Sequence, residues 1–97
     1  MEEQEIYKQA LDKWGLDFQL LMLQEECAEL IVSVSKLRRG KGNEADMRVE
    51  MVDVSIMIEQ IRMALEEKFH FLDEWEHIKN IKLNKVQKML REPTHEK

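Results

Sequence analysis

An all-α fold in a single small domain is predicted by three observations. Helix breakers are scarce, with one proline (Pro93) and three glycines in 97 residues. Leu, Met, Glu, Lys and Gln, all good helix formers, are frequent. The balance of 43% hydrophobic and 36% charged residues is that of a globular chain and not a disordered one.

Four helices are expected. The first spans about Glu2 to Lys13, with Ile6, Ala10 and Leu11 as a thin apolar stripe, and stops near Gly15. The second runs from about Asp17, a good N-cap residue, to Arg39. Gly40 and Gly42 break the chain within the basic run KLRRGKG, and Asn43 is placed to cap a third helix over about Glu44 to Glu66. A connection from Lys68 to Leu72 carries Phe69 and Phe71. The fourth helix extends from about Asp73 to Arg91, followed by the polar tail EPTHEK, expected to fray.

The second and third helices are apolar on every side. Leu20 to Leu23 are consecutive, and Val52, Val54, Ile56, Met57, Ile58 and Ile61 do the same on the third. Such helices are buried all round. A chain of this length buries roughly 60–70% of its unfolded surface, too little to enclose both. A homodimer or larger homo-oligomer with these helices at its centre is therefore expected.

The net charge of −5 argues against general nucleic-acid binding, which needs Lys and Arg to displace counterions. It leaves room for a small anion held through metal ions. A lone cysteine, Cys27, allows no internal disulfide and fits a reducing, cytoplasmic setting. The acidic start MEEQEIYKQA has no signal-peptide apolar run. No stretch approaches the ~20 uninterrupted apolar residues of a membrane helix.

Within the most apolar segment, LLMLQEECAELIVSVSKL, stand Glu25, Glu26 and Glu29. Burying an unpaired carboxylate is costly, so such groups are solvated, paired or metal-bound. Glu26 and Glu29 are three apart, about 60° around a helix and one turn along it. RVEMVDVS repeats the spacing with Glu50 and Asp53. An antiparallel hairpin would bring the two pairs face to face. Four such carboxylates repel one another unless protons or cations neutralise them. An all-oxygen ligand set favours Mg²⁺, Mn²⁺ or Ca²⁺ over Zn²⁺. Glu25 and Gln24 adjoin the cluster and are candidates for orienting ligands or a water.

A second metal pattern is weaker. Glu74 and His77 form one Glu-x-x-His, but a di-iron bundle needs two on firm helix plus two further glutamates. The Glu67/His70 and Glu92/His95 matches fall in the expected connection and tail.

EECAE at 25–29 followed by EMVD at 50–53 resembles the E-E-x-x-E…E-x-x-D signature of the MazG-like all-α nucleotide pyrophosphohydrolases. KWG around Trp14, the turn KLRRGKG and VEMVDVSIMIEQI resemble the small single-domain members of bacteriophages and Gram-positive bacteria. The likeness covers about residues 13 to 91. It implies a four-helix MazG-like bundle and a Mg²⁺-dependent enzyme, with Mn²⁺ as a possible substitute. The reaction would be (d)NTP plus water to (d)NMP plus pyrophosphate. Glu26, Glu29, Glu50 and Asp53 would bind the metal, in an obligate dimer or tetramer.

The residues are compatible with that chemistry. No Ser–His–Asp set or GxxxxGK[ST] motif offers another route. Glu25 is a candidate for orienting or deprotonating the attacking water. Lys36, seven residues beyond Glu29, and Lys82 and Lys85 on the last helix are each either phosphate contacts or solvated lysines. Trp14 is either a base-stacking group or a core plug. The reading from another functional class is a non-catalytic helical oligomer, an interaction or metal-binding module.

Overall fold

The computed structural model describes residues 1–69 and 72–93. These residues form three α-helices and no strand: α1 (Glu3–Arg38), α2 (Glu44–Phe69) and α3 (Leu72–Arg91). None is long and apolar enough to cross a membrane.

The all-α expectation holds, and α1 comprises two helical segments that meet at Gly15, where a helix end was expected. Gly15 stands at φ 81°, ψ 162°, a non-helical conformation that interrupts the helix and kinks the axis between the two segments. That region of backbone space is essentially reserved for glycine. Asp17 lies two residues beyond Gly15, near the start of the second segment. The N-terminal segment is laid against α2, where Tyr7 shares a cleft with Glu59, Arg62, Met63 and Glu66. There the Tyr7 hydroxyl donates to Glu3 at 2.6 Å. The bond to this carboxylate, then burial, pushes the phenol up to about 12.

The turn between α1 and α2 has well-defined chemistry. Lys41 N–H donates to the Lys36 carbonyl and Gly40 N–H to that of Leu37, with Gly40 at φ 69°. This is a glycine-terminated helix end of the Schellman type. Asn43 Oδ1 then accepts from Asp46 N–H at 2.8 Å, capping α2 as its side chain predicts. Because the turn is short, α1 and α2 are antiparallel neighbours.

Their shared face reads directly from burial. On α1 it comprises Gln19, Met22, Leu23, Glu26, Leu30, Ser33 and Leu37; on α2, Met47, Glu50, Asp53, Val54, Met57, Gln60, Ile61 and Ala64. The three- and four-residue steps are those of two helices packed along one stripe. Glu29 is within hydrogen-bonding reach of Glu50, and Glu26 is close enough to Asp53 to feel its charge.

Among the described residues, α3 does not pack along the hairpin to complete a four-helix bundle. From Glu76 to Arg91 every residue of α3 is exposed. Near its start, α3 meets α2 where the Arg62 guanidinium lies 4.5 Å from the Trp75 ring centroid and 3.6 Å from Glu76. The all-round burial expected for the apolar helices is likewise not met by the single chain. Leu20, Leu21, Ile31, Val32, Val52, Ile56 and Ile58 are all exposed. Among the described residues no large side chain is completely buried.

The dimensions agree. The radius of gyration is 16.8 Å, against about 12.5 Å for a compact chain of this length. The accessible surface is 8183 Å², against about 5,900 Å² for a folded monomer of this mass.

The kink supplies a test. Nothing lies within 4 Å of a Cβ added at Gly15, so a side chain meets backbone strain and not a clash. Gly15→Ala should cost about 1–2 kcal/mol and lower the melting temperature by ~5–10 °C. An unchanged melt followed by circular dichroism would show that the kink is not needed.

Candidate metal centre

The α1–α2 register brings the predicted acids together. One carboxylate oxygen from each of Glu26, Glu29 and Glu50 lies within 4.8 Å of the others. Glu26 and Glu50 are half-buried in the seam, whereas Glu29 is exposed at its edge. Asp53 is not one of this trio, but its charge acts on both Glu26 and Glu50.

The electrostatics follow from that geometry. Burial, then the neighbouring Glu29, holds the Glu26 carboxyl above its ordinary value of 4.5. Glu50 is raised for the same two reasons in the same order, with Asp53 and Asp46 adding to the effect. Glu26 Oε2 and Glu50 Oε2 are buried with no hydrogen-bond partner. With all the acids ionised there is no proton to share. Protonation of Glu26 or Glu50 lets either donate to Glu29, which is within hydrogen-bonding reach of both. No Lys or Arg forms an ion pair with any of the four acids among the described residues.

Two buried, partnerless carboxylate oxygens beside a third carboxylate are compatible with a hard cation. Separations of at most 4.8 Å are compatible with the ~4.2 Å that spans an octahedral Mg²⁺. The donor set is all oxygen, so Glu26, Glu29 and Glu50, with Asp53 beside them, suit Mg²⁺ or Mn²⁺.

The other candidates lie elsewhere. Glu25 is exposed, one turn before Glu29, on the outer edge of the same helix. Lys36 is exposed at the turn, roughly 10 Å along α1 from Glu29. Lys82 and Lys85 are exposed on α3. Trp14 is half exposed beside the kink, tilted on Phe18 at 6.1 Å with Lys13 over its ring. It is neither a core plug nor close in sequence to the acids. Cys27 is a half-buried free thiol. His77 is exposed, and His70 and His95 lie outside the described residues.

Three polar positions on the seam escape the acid-pair pattern. Asp46, one turn before Glu50, contributes to its raised value. Ser33 Oγ and Gln19 Oε1 are buried without partners. The signal that finds them is the seven-residue spacing from Glu26 back to Gln19 and forward to Ser33, which keeps all three on one helix face.

No family model, no curated protein and no solved structure matches the chain.

The raised carboxyls predict a pH dependence for the metal-free protein. Their folded values exceed the unfolded one, so their contribution is fully present below 4.5 and is lost as pH rises through the folded values. The metal-free melting temperature should therefore rise on acidification from neutrality towards that range, until other carboxylates titrate. Glu50→Gln should flatten the rise and stabilise the metal-free protein at neutral pH. A variant with the wild-type profile would separate Glu50 from the cluster.

Proposed function

We propose that the protein is a Mg²⁺-dependent nucleoside triphosphate pyrophosphohydrolase that works as a homo-oligomer. The observation that carries this reading is the convergence of Glu26, Glu29 and Glu50, with Asp53 beside them, from two helices spaced as E-x-x-E and E-x-x-D. The resemblance to the MazG-like signature supports it.

Water attacks the α-phosphorus, a new P–O bond forms, and the bond to the bridging oxygen of the β-phosphate breaks. The products are the monophosphate and pyrophosphate. Mg²⁺ supplies charge neutralisation for the phosphates and lowers the pKa of a bound water. Glu26, Glu29, Glu50 and Asp53 would hold the cation and fix its position. Glu25, exposed one turn from Glu29, accepts the proton of the attacking water or aligns it. No covalent nucleophile is needed. Lys36, Lys82 and Lys85 are the cations available to grip phosphate; for the two on α3, a neighbouring copy is a natural place to act.

The oligomer rests on area. The chain exposes about 2,300 Å² more than a compact monomer of its mass. Two copies hiding that excess would bury on the order of 4,600 Å², within the range of obligate homodimers. Sedimentation at micromolar concentration should give a dimer or larger species; a stable monomer would contradict this.

A panel of nucleoside triphosphates with Mg²⁺ tests the reaction. At least one should release pyrophosphate and not phosphate. Glu29→Gln and Asp53→Asn should each lower kcat on the order of 10²-fold, with far smaller changes in KM. Lys82→Ala should raise KM if it only grips phosphate, or lower kcat if it stabilises the transition state. Folded oligomer with no pyrophosphate release from any nucleotide, with Mg²⁺ or Mn²⁺, would favour a non-catalytic interaction or metal-binding module.

A further inference from the structure

The polar line of the α1–α2 seam continues past the carboxylates. Gln19 is only 4% exposed, and its Oε1 is buried with no hydrogen-bond partner. It lies seven residues before Glu26, about 20° away around α1 and roughly 10 Å along it. Gln60 stands in the same relation to Asp53 on α2, seven residues on. Its Oε1 is also buried without a partner, and its Nε2 reaches Met57 Sδ at 3.9 Å, a weak acceptor. Glu26 feels the charge of Asp53, so in an antiparallel pair these two seven-residue steps carry Gln19 and Gln60 towards the same end of the seam.

An aliphatic pair would suit this place better. The neighbours on the same face are Met22, Leu23, Met57 and Ile61, and a buried carboxamide with an unmade bond opposes folding. Two amides with unused hydrogen-bonding capacity, at one end of a stripe whose middle is the carboxylate cluster, mark an extended polar ligand. Its anionic part belongs at the acids and its neutral, hydrogen-bonding part at the glutamines.

We infer that Gln19 and Gln60 read the base of the nucleotide, hydrogen-bonding the donor–acceptor edge of a nucleobase whose phosphates lie at Glu26, Glu29, Glu50 and Asp53. The inference rests on the triphosphate reading of the carboxylates. A carboxamide offers C=O and N–H side by side, the complement of a base edge bearing a neighbouring donor and acceptor, as Gln does with adenine in duplex DNA. The terminal torsion of glutamine is broad and two-fold, so either atom can be presented. Gln60, the more exposed of the two, marks the side from which the base enters. The two-turn separation leaves room for the ribose between phosphate and base. The competing role for the pair is structural, with a buried water bridging the amides.

The full-length oligomer is assayed for pyrophosphate release with Mg²⁺ on triphosphates that differ only in their base. Wild type, Gln19→Met and Gln60→Met are compared, and each is melted. Wild type should discriminate at least ~10-fold in kcat/KM between its best and worst base. Each variant should lose ~10-fold or more on the best base, change little on the worst, and melt no lower than wild type. Variants that keep the wild-type ranking, or that weaken all bases equally while melting lower, would overturn base reading and favour the bridging water, with the reaction itself intact. If wild type hydrolyses no nucleotide, the carboxylate reading fails, and calorimetric binding of nucleoside monophosphates decides the glutamines. Base-dependent binding erased by Gln19→Met supports them; no binding, or binding indifferent to base, overturns them. Should one variant fail to fold, the other carries the test.

Discussion

The packing of α1 against α2 is the constraint from which everything else in this protein follows. It is an apolar stripe interrupted by acids. Val54, Met57, Ile61 and Ala64 supply the buried aliphatic surface on α2, while Glu26 and Glu50 occupy positions where an aliphatic residue would stabilise the pair more. Removing two carboxylates from water beside a third raises the energy of their ionised forms. The hairpin tolerates this because its turn is well made at both ends: Gly40 closes α1 and Asn43 opens α2. A slip of one residue between the helices would turn the acids off their common face, so the termini of the turn set the geometry of the cluster.

Much of this was legible in the sequence, and the reasons are local. The i, i+3 spacing of Glu26/Glu29 and Glu50/Asp53 is a statement about one helical face, and Gly40 to Asn43 is a statement about a tight turn; neither needs tertiary information. The interruption at Gly15 was legible as well, because a glycine with positive φ breaks a helix; where the preceding segment then packs was not. Tyr7 decides it by seating against α2 around Glu59 to Glu66. The seven-residue step from Glu26 puts Gln19 on the same face, but that its amide oxygen is left without a partner was not legible, since that depends on the facing helix. The fourth element was placed correctly along the chain, with Leu72–Arg91 close to the expected limits. Its packing was not, because amphipathicity specifies that a face will be covered and not by what.

The outer faces of the hairpin and the apolar face of α3 belong to one problem. Phe18, Leu21, Ile31, Val52 and Ile56 on the hairpin, and Ile78, Ile81, Val86 and Met89 on α3, all meet solvent in the single chain. In the proposed homo-oligomer these surfaces are the interface, and α3 would lie across a neighbouring hairpin. The lysines of α3 would then be brought to a partner's carboxylates and not to those of their own chain.

The contact at the root of α3 has its own consequence. Arg62 is held by Glu59 at 3.7 Å and Glu66 at 3.0 Å along α2, and only then stacks on Trp75 and reaches Glu76. The guanidinium is thus fixed to α2 before α3 arrives, and α3 is hinged on a pre-set pivot. An exposed helix of 20 residues is at most marginally stable alone. Its backbone amides would exchange with solvent deuterium far faster than those of Val54 or Ile61 in a lone chain. Protection spreading outward from Trp75 along α3 would then report directly on how much of that helix an assembled neighbour covers.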